Sequence, residues 1–102
     1  MIIQIGEVYA TKGVNEDAEK NENFREFINI CTNRHINKDF GEMEEEDIES
    51  NKESIINGSR IFSSYKIDKK LNNENDKLWI ITEAENDNKE REYTTILYPK
   101  KY

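Results

Sequence analysis

The chain has 102 residues, 34% apolar and 36% charged, and its 22 acids against 15 bases give a net charge of −7. This length predicts one domain spanning residues 1–102, because a chain of this size holds a single core. An acidic domain repels phosphates, which makes direct nucleic-acid binding unlikely. No apolar run approaches the ~18 residues of a membrane span. The lone Cys31 has no partner for an internal disulfide, so we expect a cytoplasmic protein.

A strand and a loop are predicted at the start of the chain. Residues 2–11 are rich in β-branched side chains, which favours a strand, and Gly6 is predicted to mark a bulge in it. Residues 12–22 are polar and carry Gly13 and two asparagines, which is typical of a loop with at most a short turn near Asp17. The first helix is therefore expected only beyond this loop.

Two helices are predicted next. Asn23 with Glu26 three positions later fits a capping pair, and apolar side chains then recur at helical spacing as far as His35. A second helix is predicted from about Glu44 to Asn57, which precedes a glycine that can end it. The first turn of this helix is rich in acids, which the free amides of a helix N-terminus favour.

Three strands complete the prediction. Period-two alternation over residues 61–67, and β-branched or aromatic runs over residues 77–83 and 93–98, indicate strands that are separated by polar loops. The element order is then β-α-α-β-β-β. This order predicts an α+β domain, with a mainly antiparallel four-stranded sheet and two helices packed on one face.

The negative charge is confined to one segment, residues 39–53, which we call the acidic segment. It has eight acids and one base, Lys52, and therefore carries −7, whereas the rest of the chain has 14 acids and 14 bases. The acids are Asp39, Glu42, Glu44, Glu45, Glu46, Asp47, Glu49 and Glu53.

Two interpretations of the acidic segment are open. In one, it is a solvated helix face that favours solubility and stabilises its own helix. In the other, its carboxylates dock on the basic surface of a protein that handles nucleic acid, with Phe40, Tyr65 and Trp79 as aromatic anchors. The glycine and ligand spacing of a calcium loop are absent, so we predict no metal and no cofactor.

Residues suited to catalysis are few. His35 is the only histidine, and its place near a helix end favours a structural role over that of a general base. Cys31 lies on the apolar face of the same helix, which predicts a buried, unreactive thiol. The alternative to a binding protein is a small ribonuclease or toxin in which His35 acts with Arg34, Tyr65 and Arg91. Its weakness is the negative field, which repels RNA.

Six short motifs together resemble a family of small uncharacterised proteins carried by plasmids, integrated elements and phages of Gram-positive gut bacteria. The resemblance covers nearly the full chain, although Phe40 stands where the family usually has Trp. The motifs are Gly6-Glu7-Val8-Tyr9-Ala10-Thr11, Arg34-His35 with Asp39-Phe40-Gly41, Glu45-Glu46-Asp47, Gly58-Ser59-Arg60-Ile61-Phe62-Ser63-Ser64-Tyr65, Trp79-Ile80-Ile81-Thr82-Glu83-Ala84 and Thr94-Thr95-Ile96-Leu97-Tyr98-Pro99.

The resemblance implies a mobile-element protein, and small acidic proteins of such elements are often anti-CRISPR or anti-restriction inhibitors. It also implies structural roles for Arg34, His35, Asp39 and Gly41, which would close one helix onto the turn before the next. The leading hypothesis is therefore a non-catalytic inhibitor that docks its acidic segment on a nucleic-acid-handling defence protein. The alternatives are the nuclease acting through His35 and a homodimer that pairs through an edge strand or exposed aromatics.

Overall fold

The computed structural model describes residues 2–99, which form three helices and a four-stranded sheet. The α+β class is confirmed, with one more helix than the sequence predicts. The elements are β1 (Glu7–Ala10), α1 (Lys12–Lys20), α2 (Glu22–Ile36), α3 (Glu45–Asn57), β2 (Ile61–Lys66), β3 (Lys77–Thr82) and β4 (Tyr93–Leu97).

The sheet is mixed, which corrects the mainly antiparallel prediction. Its strand order is β1-β4-β3-β2, and β3 is antiparallel to both of its neighbours. β1 runs parallel to β4, with Val8 beside Thr94 and Ala10 beside Ile96. β1 is also shorter than predicted, because Gly6 has a φ of +62° and precedes the strand instead of forming a bulge within it.

Helix α1 occupies the segment predicted as a loop. Val14 is fully buried and Ala18, one turn later, packs against the same cluster, so two apolar positions are enough to fix the helix on the sheet. Asn21 then caps α2, because its side-chain oxygen accepts from the amides of Asn23 and Phe24. The expected capping pair at Asn23 and Glu26 is therefore wrong by two residues.

The helices occupy two places on the sheet. Helices α1 and α2 cover one face, where Val14, Phe24 and Ile28 pack against Tyr65 and Ile80. Helix α3 instead lies along the edge of β2. There it helps to bury a second cluster, which comprises Ile3, Phe40 and Ile61 with the partly buried Ile5, Met43, Ile48 and Ile55. The two helices that the sequence predicts on one face are α2 and α3; only α2 packs there, so this part of the prediction is wrong for α3, and the second helix on that face is the unpredicted α1.

Candidate functional site

The acidic segment and the only tryptophan of the chain line one cleft. The cleft lies between the first turn of α3 and the face of the sheet that α1 and α2 leave uncovered, and its volume is about 650 Å³. Its lining has four acids against one base, and so it is negative. The lining residues are Glu42, Met43, Glu44, Glu45, Asp47, Phe62, Ser64, Lys77 and Trp79.

Backbone pairing with β2 fixes the acidic wall of the cleft. Gly41 forms a parallel bridge with Ser64, in which the Ser64 amide donates to Phe40 O (3.1 Å) and the Glu42 amide donates to Ser64 O (2.8 Å). The Glu42 carboxylate also accepts from the Lys66 amide (3.0 Å). The chain just before α3 thus runs along β2 as a short extra strand, which brings the start of α3 over the sheet.

The floor of the cleft is apolar and aromatic. Phe62 and Trp79 form an edge-to-face pair with ring centroids 5.0 Å apart. Ser64 is the cross-strand partner of Trp79, and its small side chain leaves space beside the indole. Neither buried cluster includes Phe62 or Trp79, and both residues are partly buried, with some surface exposed. Trp79 is therefore the one predicted aromatic anchor with surface to offer a partner.

The other two predicted anchors are core residues. Phe40 is 5% exposed and Tyr65 is fully buried, because Tyr65 faces α2 and its hydroxyl donates to Asp39 O (2.6 Å). The guanidinium of Arg34 lies 4.8 Å from the centre of the Tyr65 ring. Aromatic content alone did not distinguish these buried rings from Trp79.

The eight acids of the segment separate into three groups. Asp39 is held by Arg34 through two bonds of 2.7 and 3.1 Å, and the hydrogen bond from that guanidinium lowers the pKa of the Asp39 carboxyl. The charge of Asp39 is therefore already paired within the protein. Glu42, Glu44 and Asp47 face the cleft, and Glu45 lies where the cleft meets the outer surface of α3. The outer surface is formed by Glu45, Glu46, Glu49 and Glu53 around Ser50, and all of them are exposed.

His35 belongs to a buried chain of hydrogen bonds. Thr94 donates to Ile5 O (2.7 Å), so the hydroxyl of Thr82 donates to Thr94 (2.7 Å) and accepts from His35 Nε2 (2.8 Å). Nδ1 of the neutral ring is then an acceptor for the hydroxyl of Ser63 (2.5 Å). Burial, with a smaller contribution from the charge of Arg91, lowers the pKa of His35 to about 4.

This arrangement gives His35 and its neighbour no contact with solvent. Ser63 and His35 have the orientation of a nucleophile and its base, but both are 0% exposed. The general base required by the nuclease hypothesis is thus sealed from substrate. Through Ser63 and Thr82, His35 connects α2 to strands β2 and β3.

Arg91 and Cys31 are likewise engaged in the interior. The Arg91 guanidinium is 8% exposed and donates to the carbonyl oxygens of Ser59 (2.7 Å), Glu83 (2.9 Å) and Ser54 (3.0 Å). Three of its five N–H donors are engaged and the residue is buried, so it offers little surface for the phosphate contact that the nuclease hypothesis assigned to it. The thiol of Cys31 is buried, which raises its pKa to about 12, so it stays protonated near neutral pH.

Two further properties concern the described part of the chain as a whole. Among residues 2–99, no three His, Cys, Asp or Glu side chains are grouped closely enough to hold a metal ion. None of the helices in this range has the length and apolar character needed to cross a membrane.

Sequence reasoning found the acidic segment and Trp79, but missed Phe62, Ser64 and Lys77. The period-two pattern of β2 and β3 contains this information, since these residues alternate with Ile61, Ser63 and Leu78, which face the core. What the pattern lacks is the position of α3, which decides that the outer face of these strands forms a cleft.

No family model, curated protein or solved structure matches the chain.

Proposed function

We propose that this protein is a non-catalytic inhibitor that docks its acidic segment on the basic, nucleic-acid-binding surface of another protein. The observation that carries the proposal is the cleft in which Glu44, Glu45 and Asp47 face Trp79 and Phe62. A charged rim beside a partly exposed aromatic floor has the composition of a protein-binding surface, in which an aromatic anchor supplies affinity and charges supply specificity.

The outer surface of α3 extends the same negative field. Glu46, Glu49 and Glu53 are exposed, and the single base of the segment, Lys52, pairs with Glu49 at 3.3 Å. Carboxylates in this arrangement compete with phosphates for the Lys and Arg side chains of a nucleic-acid-binding groove. A host defence nuclease is the partner that the resemblance to mobile-element proteins suggests.

The first experiment measures whether the cleft binds a basic ligand. Trp79 is the only tryptophan, so its fluorescence reports on the cleft directly. We expect a peptide of alternating lysine and arginine to change this fluorescence, with an affinity that falls at least about tenfold between 50 and 300 mM salt. An affinity that is the same at both salt concentrations contradicts the proposal.

Charge reversal then tests whether position matters beyond net charge. The triple variant Glu45→Lys, Glu46→Lys and Glu49→Lys is expected to lose the peptide. The control reverses three exposed acids outside the segment, Glu19, Glu26 and Glu90, and has the same net charge. Equal loss in both variants would show a general effect of charge and would contradict a docking site at α3.

The second experiment tests inhibition. A partner captured from a host lysate should be released by duplex DNA or by RNA, because the acidic segment and the nucleic acid occupy the same basic surface. The nucleic-acid binding of that partner should fall when the protein is added. A partner that holds nucleic acid and this protein together would contradict competition as the mode of action.

A further inference from the structure

The two edge strands of the sheet differ in whether their outward backbone groups have hydrogen-bond partners. At the β2 edge these groups are paired. The side chain of Asn51 bonds both the amide and the carbonyl of Phe62, at 3.0 and 2.6 Å. The bridge to residues 40–42 occupies both backbone groups of Ser64, and Glu42 accepts from the Lys66 amide. Every outward amide of β2 therefore has a partner, which is how a native sheet avoids pairing with another chain.

The outer edge of β1 has no such cover. The amides of Glu7 and Thr11 donate inward, to Glu92 O (3.1 Å) and Ile96 O (3.0 Å) of the β4 chain. Backbone groups alternate along a strand, so those of Val8 and Ala10 point away from β4. Within residues 2–99 no group bonds them, and β1 contains neither a lysine nor a proline that would discourage pairing.

Exposed apolar side chains concentrate at the same edge. Among the residues described, six large apolar side chains are exposed, and three of them lie on β1 or on the adjoining end of β4. These three are Val8 (45%), Tyr9 (52%) and Tyr93 (40%). The rings of Tyr9 and Tyr93 contact each other edge to face, with centroids 6.0 Å apart. The edge thus offers backbone groups and apolar area together.

The charge layout permits a second copy of this chain as the occupant. Two copies that each carry −7 repel, and this repulsion is small at the β1 edge because Glu7 is the only charged residue among residues 7–11. The acidic segment lies beside β2, at the opposite edge of the sheet. At about 4.8 Å per strand, the two β2 strands of an eight-stranded sheet are roughly 34 Å apart, several times the ~8 Å Debye length.

We propose that two copies pair antiparallel through β1 about a two-fold axis at Tyr9. In this register Val8 of each copy lies opposite Ala10 of the other, so the outward amides and carbonyls of both residues are satisfied in both copies. The two Tyr9 rings meet on the uncovered face of the sheet. Glu7 faces Thr11 of the second copy, and no like charges are opposed.

Sedimentation over a concentration series tests the proposal. The protein should pass from monomer to dimer in the micromolar to millimolar range. Val8→Pro removes an outward amide and leaves the inward amides of Glu7 and Thr11 in place, so it should raise the dissociation constant at least about tenfold. Val8→Lys, which keeps the amide but places a hydrated charged side chain on the edge strand, should do the same. Ile56→Lys, at an 87% exposed position on α3, is the matched control and should leave the dimer unchanged.

Hydrogen exchange supplies a readout that locates the interface. The amides of Val8 and Ala10 should exchange more slowly as the concentration rises, whereas the inward amide of Thr11 should be protected at every concentration. A monomer at all concentrations overturns the proposal. A dimer that survives both Val8 variants, or one without concentration-dependent protection at Val8 and Ala10, overturns it as well.

Discussion

The side chain of Asn51 pairs with the backbone of Phe62 as a neighbouring strand would. Its amide nitrogen donates to Phe62 O at 2.6 Å and its amide oxygen accepts from the Phe62 amide at 3.0 Å. Asn51 is 3% exposed, on the inner side of the helix whose outer side carries the charge. One residue thus joins α3 to the sheet and closes part of its edge.

Replacement of Asn51 by Ala should destabilise the fold. Both backbone groups of Phe62 lose their partner, and the expected loss is about 2 kcal/mol in the free energy of unfolding. Urea unfolding followed by the fluorescence of Trp79, which lies in the adjoining cleft, measures it. The matched control is Ser50→Ala at the exposed neighbouring position, which should change stability by less than about 0.5 kcal/mol. Similar losses in both variants would show that the pairing with Phe62 contributes little.

The free energy of unfolding should decrease as the pH is lowered, because His35 is buried in its neutral form. The folded pKa of about 4 lies below the ordinary value of 6.5, so the unfolded chain binds the proton more readily. The stabilisation is fully present above pH 6.5 and is lost as pH falls through about 4. By pH 5 the loss is about 2 kcal/mol.

The control for this prediction is a chain without the titrating group. His35→Asn should be less stable at pH 7.5 and should show little change in unfolding free energy between pH 6.5 and 5. Urea unfolding of both proteins across this range compares them. A wild-type curve that is flat between pH 6.5 and 5 would contradict a depressed pKa.

Arg91 and Arg60 should differ sharply when each is replaced by Met. Arg91 is buried and donates to three carbonyl oxygens, so its loss should cost about 3 kcal/mol. Arg60 forms an ion pair with Glu83 at 3.2 Å, but its side chain is 63% exposed, which limits the cost to about 1 kcal/mol. Thermal and urea unfolding of the two variants provide the comparison, and equal costs would contradict the structural role of Arg91.

Two glycines with positive φ should tolerate alanine unequally. Gly58 (φ +82°) ends α3, and an added Cβ meets only the flexible side chain of Glu85, so the backbone strain of about 1 kcal/mol dominates. At Gly41 (φ +79°) a Cβ overlaps the carbonyl oxygen of Ser64, which is fixed in the bridge to β2. Gly41→Ala should therefore cost at least twice as much. A smaller cost at Gly41 would show that this bridge yields easily.

The sequence predicts those elements whose pattern is local. Alternation identifies β2, β3 and β4, and the end of α3 at Gly58 follows from the left-handed conformation that glycine adopts there. Helix α1 is missed because only Val14 and Ala18 face the core in nine otherwise polar or flexible residues. The parallel pairing of β1 with β4 joins residues more than 80 positions apart, which no local period encodes.

The candidate site was predictable in its parts and not in its assembly. The acids and the tryptophan are visible in the sequence. The cleft, however, exists because Gly41 forms a bridge with Ser64 and Asn51 forms hydrogen bonds with Phe62. The same limit explains why Tyr65 was wrongly predicted as an exposed anchor. Like Trp79 it is an aromatic residue in a strand, but its side chain lies on the opposite face of the sheet. Burial is decided by which face a helix covers, and that depends on contacts across the whole chain.

The outer face of α3 should tolerate substitution better than its inner face. On the inner face, Asn51 holds Phe62 through its side chain and Ser54 is only 7% exposed, so the fold restricts what can replace them. The acids of the outer face have no such tie to the sheet. Substitutions can therefore change the charge of the outer face of α3 and leave the contacts that hold the fold in place.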